Sequence, residues 1–545
     1  MKKYLVLTAV FIALTISTLA QTWYSALNDI RGVQILTNGV TIGCYANNAL
    51  YKFNTASTST DNGTTVIKPY SVANASAGRW ERQRILSVIG TGASGVSLGD
   101  SNKTAAGNYV TRKRLDSVAA ITRSISAVPG LQDSLTNHYT KAQTLTAFEN
   151  AYAQGLRWDQ SADTYTRLGS IAAATKGVSP GNSALPIQSL MKGCLLTDNG
   201  VVNYYLNATN WTLKANGDAS VLTGADGQVM VQIPKFYVKY VNVGNTIEWW
   251  ISLYQLPGYS VQNAFIKDGV EVNYRYFGAY ESVLWDATTD STYRDYKAGV
   301  TINTSTDKLS SVSGFRPVTN ITRAGARAMA ARRGTGWRQQ DYDLTNAIQM
   351  LFIVEYATLN SQSIMSGITN VTDWATYNNY YPIVATGLGN SIGNATGQNA
   401  AAASTSCATV AATGYSKYRG ISNFYGHICK AVDGFNINAN VPYVSNNSAV
   451  WADDTSVGYD YLGVTMSSSD GWQSTLVNSS RVMLPATVGA ASTTKITDYY
   501  YQSTGWRVAF FGGSAYDGAN AGAFRWYLND GSGSAYQNIG ARLSF

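Results

Sequence analysis

Tyr418-Arg419-Gly420-Ile421-Ser422-Asn423-Phe424-Tyr425-Gly426, with Val432-Asp433-Gly434 close behind it, is one of two stretches on which the reading of this chain turns. The other is the end of the sequence. There Gly505-Trp506-Arg507, Phe511-Gly512-Gly513-Ser514, Ala519-Asn520-Ala521-Gly522-Ala523-Phe524 and Asn538-Ile539-Gly540-Ala541-Arg542-Leu543 follow in order. Both lie in a loop-rich region that begins after Gly367, where long Asn, Ser, Thr and Ala stretches separate short strands. Upstream, strand-like runs at Gln228 to Val243 and Ile247 to Leu253 precede two helical segments. Asn320 is positioned to cap the first, which runs to about Arg333, and the second carries Leu344, Ile348, Leu351, Phe352 and Leu359 on one face. Two helices among many short strands and long loops is an α+β pattern, expected from about residue 156 to 545.

Further outward the organisation changes. Between Tyr109 and Glu149 apolar residues fall at Leu115, Val118, Ile121 and Ile125, then at Leu131, Leu135, Leu145 and Phe148. Spacings of three and four over so thin a stripe suit a short coiled coil, interrupted at Pro129-Gly130. A helical stalk within residues 83–155 that trimerises the chain is one reading, and a pair of packed helices inside one subunit is the other. Residues 21–82 read as a small β-rich module, with runs at Val33 to Leu36, Val40 to Tyr45 and Leu50 to Phe53 and a turn at Asp61-Asn62-Gly63. Residues 1–20 resemble a signal peptide: Lys2 and Lys3, an apolar run from Tyr4 to Leu19, and small residues at Thr18 and Ala20 that predict cleavage before Gln21. An apolar helix retained inside an assembly is the alternative.

At 545 residues a multi-domain chain is expected. Charged residues are only 13%, against ~25% in an average globular chain. Beside 50 Gly there are 37 Tyr, 13 Trp and 14 Phe. Tyrosine among Gly, Ser and Asn is the composition of binding loops, and it is also that of β-rich structure. The formal charge is +8, and two of those charges are Lys2 and Lys3. The one dense basic run, Arg323, Arg327, Arg332, Arg333 and Arg338, has the spacing of a solvated helix face, so no nucleic-acid partner is expected. Cys44, Cys194, Cys407 and Cys429 show no CxxC spacing, hence no zinc or redox motif. A Cys407–Cys429 bridge and free buried thiols both remain open.

Chemistry is sparse. His138 and His427 are the only two histidines, which leaves little from which to build a catalytic triad or a histidine metal site. Phosphate-loop and dinucleotide fingerprints are missing. Paired carboxylates for glycoside hydrolysis converge only in three dimensions, and Asp453-Asp454 is the most conspicuous acidic pair. The expectation is a binding protein, not an enzyme, with no cofactor and no metal.

Two resemblances sharpen this expectation. Leu50-Tyr51-Lys52-Phe53, Ser59-Thr60-Asp61-Asn62-Gly63-Thr64-Thr65-Val66-Ile67-Lys68-Pro69 and Gly78-Arg79-Trp80 together resemble a module near the N-terminus of bacteriophage tail fibres and tailspikes. It would join the chain to other virion tail proteins. The Tyr418 to Gly426 signature and the terminal motifs resemble the C-type-lectin fold, in the branch shared with formylglycine-generating enzymes, as used by the targets of diversity-generating retroelements. That resemblance covers about Gly227 to the end and implies a variable segment at about 505–545. There a scaffold of Gly512, Gly513, Gly518, Gly522, Ala523, Phe524, Leu528, Ile539, Gly540 and Arg542 alternates with diversified contacts. The contacts it implies are Ser514, Tyr516, Asp517, Arg525, Tyr527, Asp530, Ser534 and Tyr536, each reachable from an asparagine codon by changing adenines. Asn529-Asp530 stands alone, without the contiguous acid and amide motifs of calcium-dependent lectins. The reactive cysteine pair of formylglycine-generating enzymes has no counterpart near the end. The function implied is recognition of a host-cell surface protein or glycan by a homotrimeric tail-fibre component of the virion. A secreted or cell-surface adhesin, bacterial or prophage-encoded, is the alternative, because export would remove the chain from the site of tail assembly.

Overall fold

The computed structural model describes residues 146–545 except 290, 297–298, 371–382, 401–413 and 478–480; it also gives the backbone of five short strands between Thr22 and Gln83 and of a helix from Lys141. The chain divides into two compact units, Met1–Ala120 and Ile121–Phe545. It is mostly β-sheet with few helices.

In the first unit the strands Thr22–Tyr24, Thr41–Cys44, Ala49–Asn54, Arg79–Gln83 and Val66–Ile67 form one sheet in that spatial order. Phe53 lies opposite Trp80, and Val66 opposite Glu81. The run at Val33 to Leu36, the Asp61-Asn62-Gly63 turn, the apolar leader, Cys407, His138 and most of the expected stalk lie outside the described residues.

The second unit starts earlier than its sequence suggests. Helix α1 (Lys141–Tyr152) runs straight into the strand Ala153–Asp159, and packs on it and on Thr164–Gly169. Ala153–Asp159 then pairs along its whole length with Thr246–Ser252. Residues 141–155, read as stalk, therefore contribute to the second unit. Phe148, expected in an apolar stripe, is 43% exposed, while Glu149 is buried and ion-paired with Lys239.

The core is organised around α3 (Tyr342–Tyr356), whose fifteen residues are all buried. Asp341 caps it, accepting from the Leu344 amide at 2.8 Å, and also holds Arg275 at 2.6 Å. The helix is buried all round, where one apolar face was expected. Three of its polar side chains find partners on distant segments: Glu355 pairs with Arg419 at 2.5 Å, Asp343 with Arg481 at 2.9 Å, and Gln349 donates to the Ala523 carbonyl at 2.8 Å. Paired in this way, buried polar groups avoid the ~1–3 kcal/mol cost of an unsatisfied one. Leu359 falls beyond the helix, which ends at Ala357 in the left-handed region.

The basic run is the clearest correction. Helix α2 (Arg323–Ala331) is capped by Thr322, whose hydroxyl accepts from Gly325 at 3.1 Å. Asn320 instead sits at φ +56° and donates its amide to the Tyr536 and Ile539 carbonyls. Arg323 is fully buried and binds Asp453 and the Phe435 carbonyl; Arg327 spans Asp433 and Asp453. Arg333 and Arg338 are buried too. A helical spacing of arginines cannot reveal carboxylates supplied more than a hundred residues away.

Candidate functional site

A large mixed sheet closes the chain. Its strands run in the order Asp460–Tyr461, Val441–Val444, Cys429–Asn438, Trp506–Phe511, Trp526–Leu528, Tyr499–Gln502, Gly471–Leu476 and Pro485–Val488, with Ile539–Gly540 added beside Cys429–Asn438. Alternation along each strand separates two faces. Tyr500, Trp526, Leu528 and Phe511 turn inward to the core around α3. Tyr499, Tyr501 and Tyr527 are half-buried on the other face.

Register lines these rings up. Tyr501 lies opposite Tyr527 in a parallel pair, Tyr527 opposite Phe510, and Trp472 opposite Tyr499. Ring centroids follow at 4.9 Å for Trp472–Tyr499, 4.6 Å for Tyr499–Tyr501 and 5.1 Å for Tyr501–Tyr527, all within aromatic contact range. On the strands towards the other edge, Tyr461, Tyr443 and Trp506 form a second group at 6.1 and 5.8 Å. Rigid aromatic surface of this kind gives large contact area with little side-chain entropy to lose.

Beneath the first row lies a polar lock. Arg525 is 2% exposed, its guanidinium 5.4 Å from the centroids of both Tyr501 and Tyr527. It donates to Asp517 at 2.6 Å, and Asp517 in turn accepts from the Ser514 amide and hydroxyl at 2.6 and 2.7 Å. Burial alone would lower the Arg525 pKa, but the Asp517 carboxylate overrides it and holds the charge on the arginine. Gly512 and Gly513, at φ +85° and +77°, turn the chain into this lock, and a Cβ at Gly513 would lie 2.7 Å from that of Ala521.

The eight residues taken from the sequence as contacts thus separate. Ser514 and Arg525 are buried, and do not present outward side chains: both are consumed by bonding to Asp517. Tyr516 and Tyr536 are 43% and 45% exposed. Asp517, Tyr527, Asp530 and Ser534 are intermediate. Asp530 accepts no ion pair among the described residues; burial raises its carboxyl pKa, with Arg507 opposing. Sequence reading missed Trp472, Tyr499, Tyr501 and Tyr443, and took Trp506 as part of a terminal motif and not as a contact. The Tyr499-Tyr500-Tyr501 triplet carried the signal, since period-two alternation sends its first and third rings to one face.

Side chains considered for chemistry are engaged elsewhere. His427 is buried; its Nε2 accepts from the Val384 amide at 2.9 Å, so the ring hydrogen sits on Nδ1 and is donated to Glu281. Lys430 reaches the other Glu281 oxygen at 2.9 Å. Burial alone would raise the Glu281 carboxyl, yet His427 and Lys430 hold it down at about 2. Of the conspicuous acidic pair, Asp453 is clamped by Arg323 and Arg327, and Asp454 accepts from Ser532 at 2.5 Å. Cys429 is a buried free thiol. Among the described residues no three His, Cys, Asp or Glu side chains are placed to hold a metal ion, and no helix is long and apolar enough to cross a membrane. Neither models of known protein families nor curated protein sequences match this chain.

Proposed function

We propose that this chain is a receptor-binding protein that recognises a host-surface protein or glycan through the aromatic face of its terminal sheet. The supporting observation is the row Trp472–Tyr499–Tyr501–Tyr527, half-buried, on strands whose opposite face is anchored in the core. The sheet beside α3, the inward-facing Tyr418 to Gly426 signature and the paired glycines suit a C-type-lectin-like fold with a diversified end. On this reading Tyr527, Tyr516, Tyr536, Asp530 and Ser534 vary over a fixed aromatic base, while Ser514, Asp517 and Arg525 hold it in shape. The N-terminal sheet joins other tail proteins of a virion. The outward Phe148 and Tyr152 of α1 favour self-association, as expected of a homotrimer.

The test is adsorption of purified full-length chain to intact host cells. Serine at Tyr499, Tyr501 and Tyr527 together should abolish adsorption while the chain still melts cooperatively well above the assay temperature, with a melting temperature lowered by the lost ring and Arg525 contacts. Undiminished adsorption of that variant would refute the assignment. The apolar N-terminus favours a secreted adhesin as a second reading; a mature chain beginning at Gln21 on a cell surface would establish it over the virion.

A further inference from the structure

A half-open cleft of about 660 Å³ lies away from the terminal row and shares no residue with it. This is within the ~300–1,000 Å³ range of small-molecule sites. One wall is the three-stranded sheet Thr292–Arg294, Val283–Asp286 and Lys308–Ser310. Its register sets Tyr293, Trp285 and Lys308 side by side, with Trp285 and Tyr293 edge to face at 4.7 Å. Facing them is the loop 223–227. Gly224, at φ +102°, lets the loop approach Tyr293 so closely that a Cβ there would meet its hydroxyl at 2.1 Å.

The polar groups are fixed. Arg333, its side chain 4% exposed, is held by the Leu309 carbonyl at 2.8 Å and the Ser310 hydroxyl at 2.6 Å, and donates to Asp198 Oδ1 at 2.8 Å. Asp226 Oδ2 accepts from Tyr204 at 2.7 Å, and Asn203 donates to the Asp226 carbonyl at 3.0 Å. Asp198 Oδ2 and Asp226 Oδ1 accept no hydrogen bond among the described residues. Two carboxylates disfavour a phosphate or other anion, and Arg333 with Lys308 disfavours a cation. What remains is a neutral ligand with several hydroxyl donors and one apolar face.

We propose that this cleft is a second binding site, for a neutral sugar unit. Its C–H face packs on Trp285, and neighbouring hydroxyls donate to Asp198 and Asp226. The site is independent of the terminal surface.

Full-length chain is titrated with the methyl glycosides of glucose, galactose, mannose and N-acetylglucosamine, and binding is read by saturation-transfer NMR. At least one should bind saturably. Trp285→Ala should weaken it about tenfold or more, Asp226→Asn should weaken it with the melting temperature retained, and the Tyr499/Tyr501/Tyr527 serine variant should bind as before. No saturable binding to any of the four overturns the proposal. So does binding unchanged in Trp285→Ala and Asp226→Asn, or binding lost in the serine variant. Should Trp285→Ala fail to fold, Asp226→Asn decides.

Discussion

Replacing Arg525 with alanine separates a scaffold role from a contact role. The guanidinium is 2% exposed and bonded to Asp517, which is itself only 14% exposed at the side chain. Breaking a buried pair by removing one member costs about 3–5 kcal/mol, because the other charge stays behind. Cation–π contact with Tyr501 and Tyr527 adds about 0.5–1 kcal/mol for each ring. Partial water access to Asp517 offsets some of this, so about 3 kcal/mol is expected. Asp517→Asn removes the charge and keeps one acceptor oxygen, which can serve Arg525 or Ser514 but not both, so it should also destabilise. The double variant should then cost less than the two single losses combined, as interacting neighbours do. Urea unfolding of the full chain, followed by tryptophan fluorescence and circular dichroism, measures all three. If Arg525→Ala costs under about 1 kcal/mol and removes target binding, the arginine belongs to the contact surface and the lock is not structural.

Phe524→Ala should destabilise by about 3–5 kcal/mol, since the ring is 3% exposed in the main core; urea midpoints check this. Asp453→Asn should be destabilising rather than neutral, because it removes the charge clamped by two arginines. Burial alone would raise the Asp453 carboxyl, yet Arg323 and Arg327 hold it below the ordinary range. Its contribution is therefore present above pH ~4 and lost as pH falls further, so Asp453→Asn should flatten the acid limb of the stability profile. Asp498 runs the opposite way: burial pushes its carboxyl up to about 8 despite the Phe524 amide at 2.6 Å. The native state keeps a proton that the unfolded chain releases, so stability should fall as pH rises from ~4 to about 8, and Asp498→Asn should flatten that slope. A fragment beginning at Lys141 should fold, whereas one beginning at Leu156 loses part of the strand paired with Thr246–Ser252 and should be less stable by thermal melting.

The abundance of strands, the two central helices and the strands at Thr41–Cys44 and Ala49–Asn54 were legible from alternation and turn chemistry. Burial of charge was not. Arg323 and Arg327 have the spacing of an exposed face, and nothing local announces Asp433 and Asp453. The same applies to α3, where Asp343, Gln349 and Glu355 look like a solvent stripe until Arg481, the Ala523 carbonyl and Arg419 arrive from distant segments. In the terminal segment, codon logic picked Ser514 and Arg525 without regard to which face of the backbone they occupy. Tyr527 came from that same logic, while its neighbours Tyr499 and Tyr501 needed strand alternation and a register that only folding supplies.

The aromatic row draws on two stretches of the chain. Trp472, Tyr499 and Tyr501 come from strands that precede the terminal segment, and only Tyr527 lies within it. A chain that rewrites its last forty or so residues would therefore redecorate one end of an inherited platform. Every variant would start with the same sticky floor, and selectivity would come from what is added around it. Such a surface can lose a partner in a single change without losing its capacity to hold the next one.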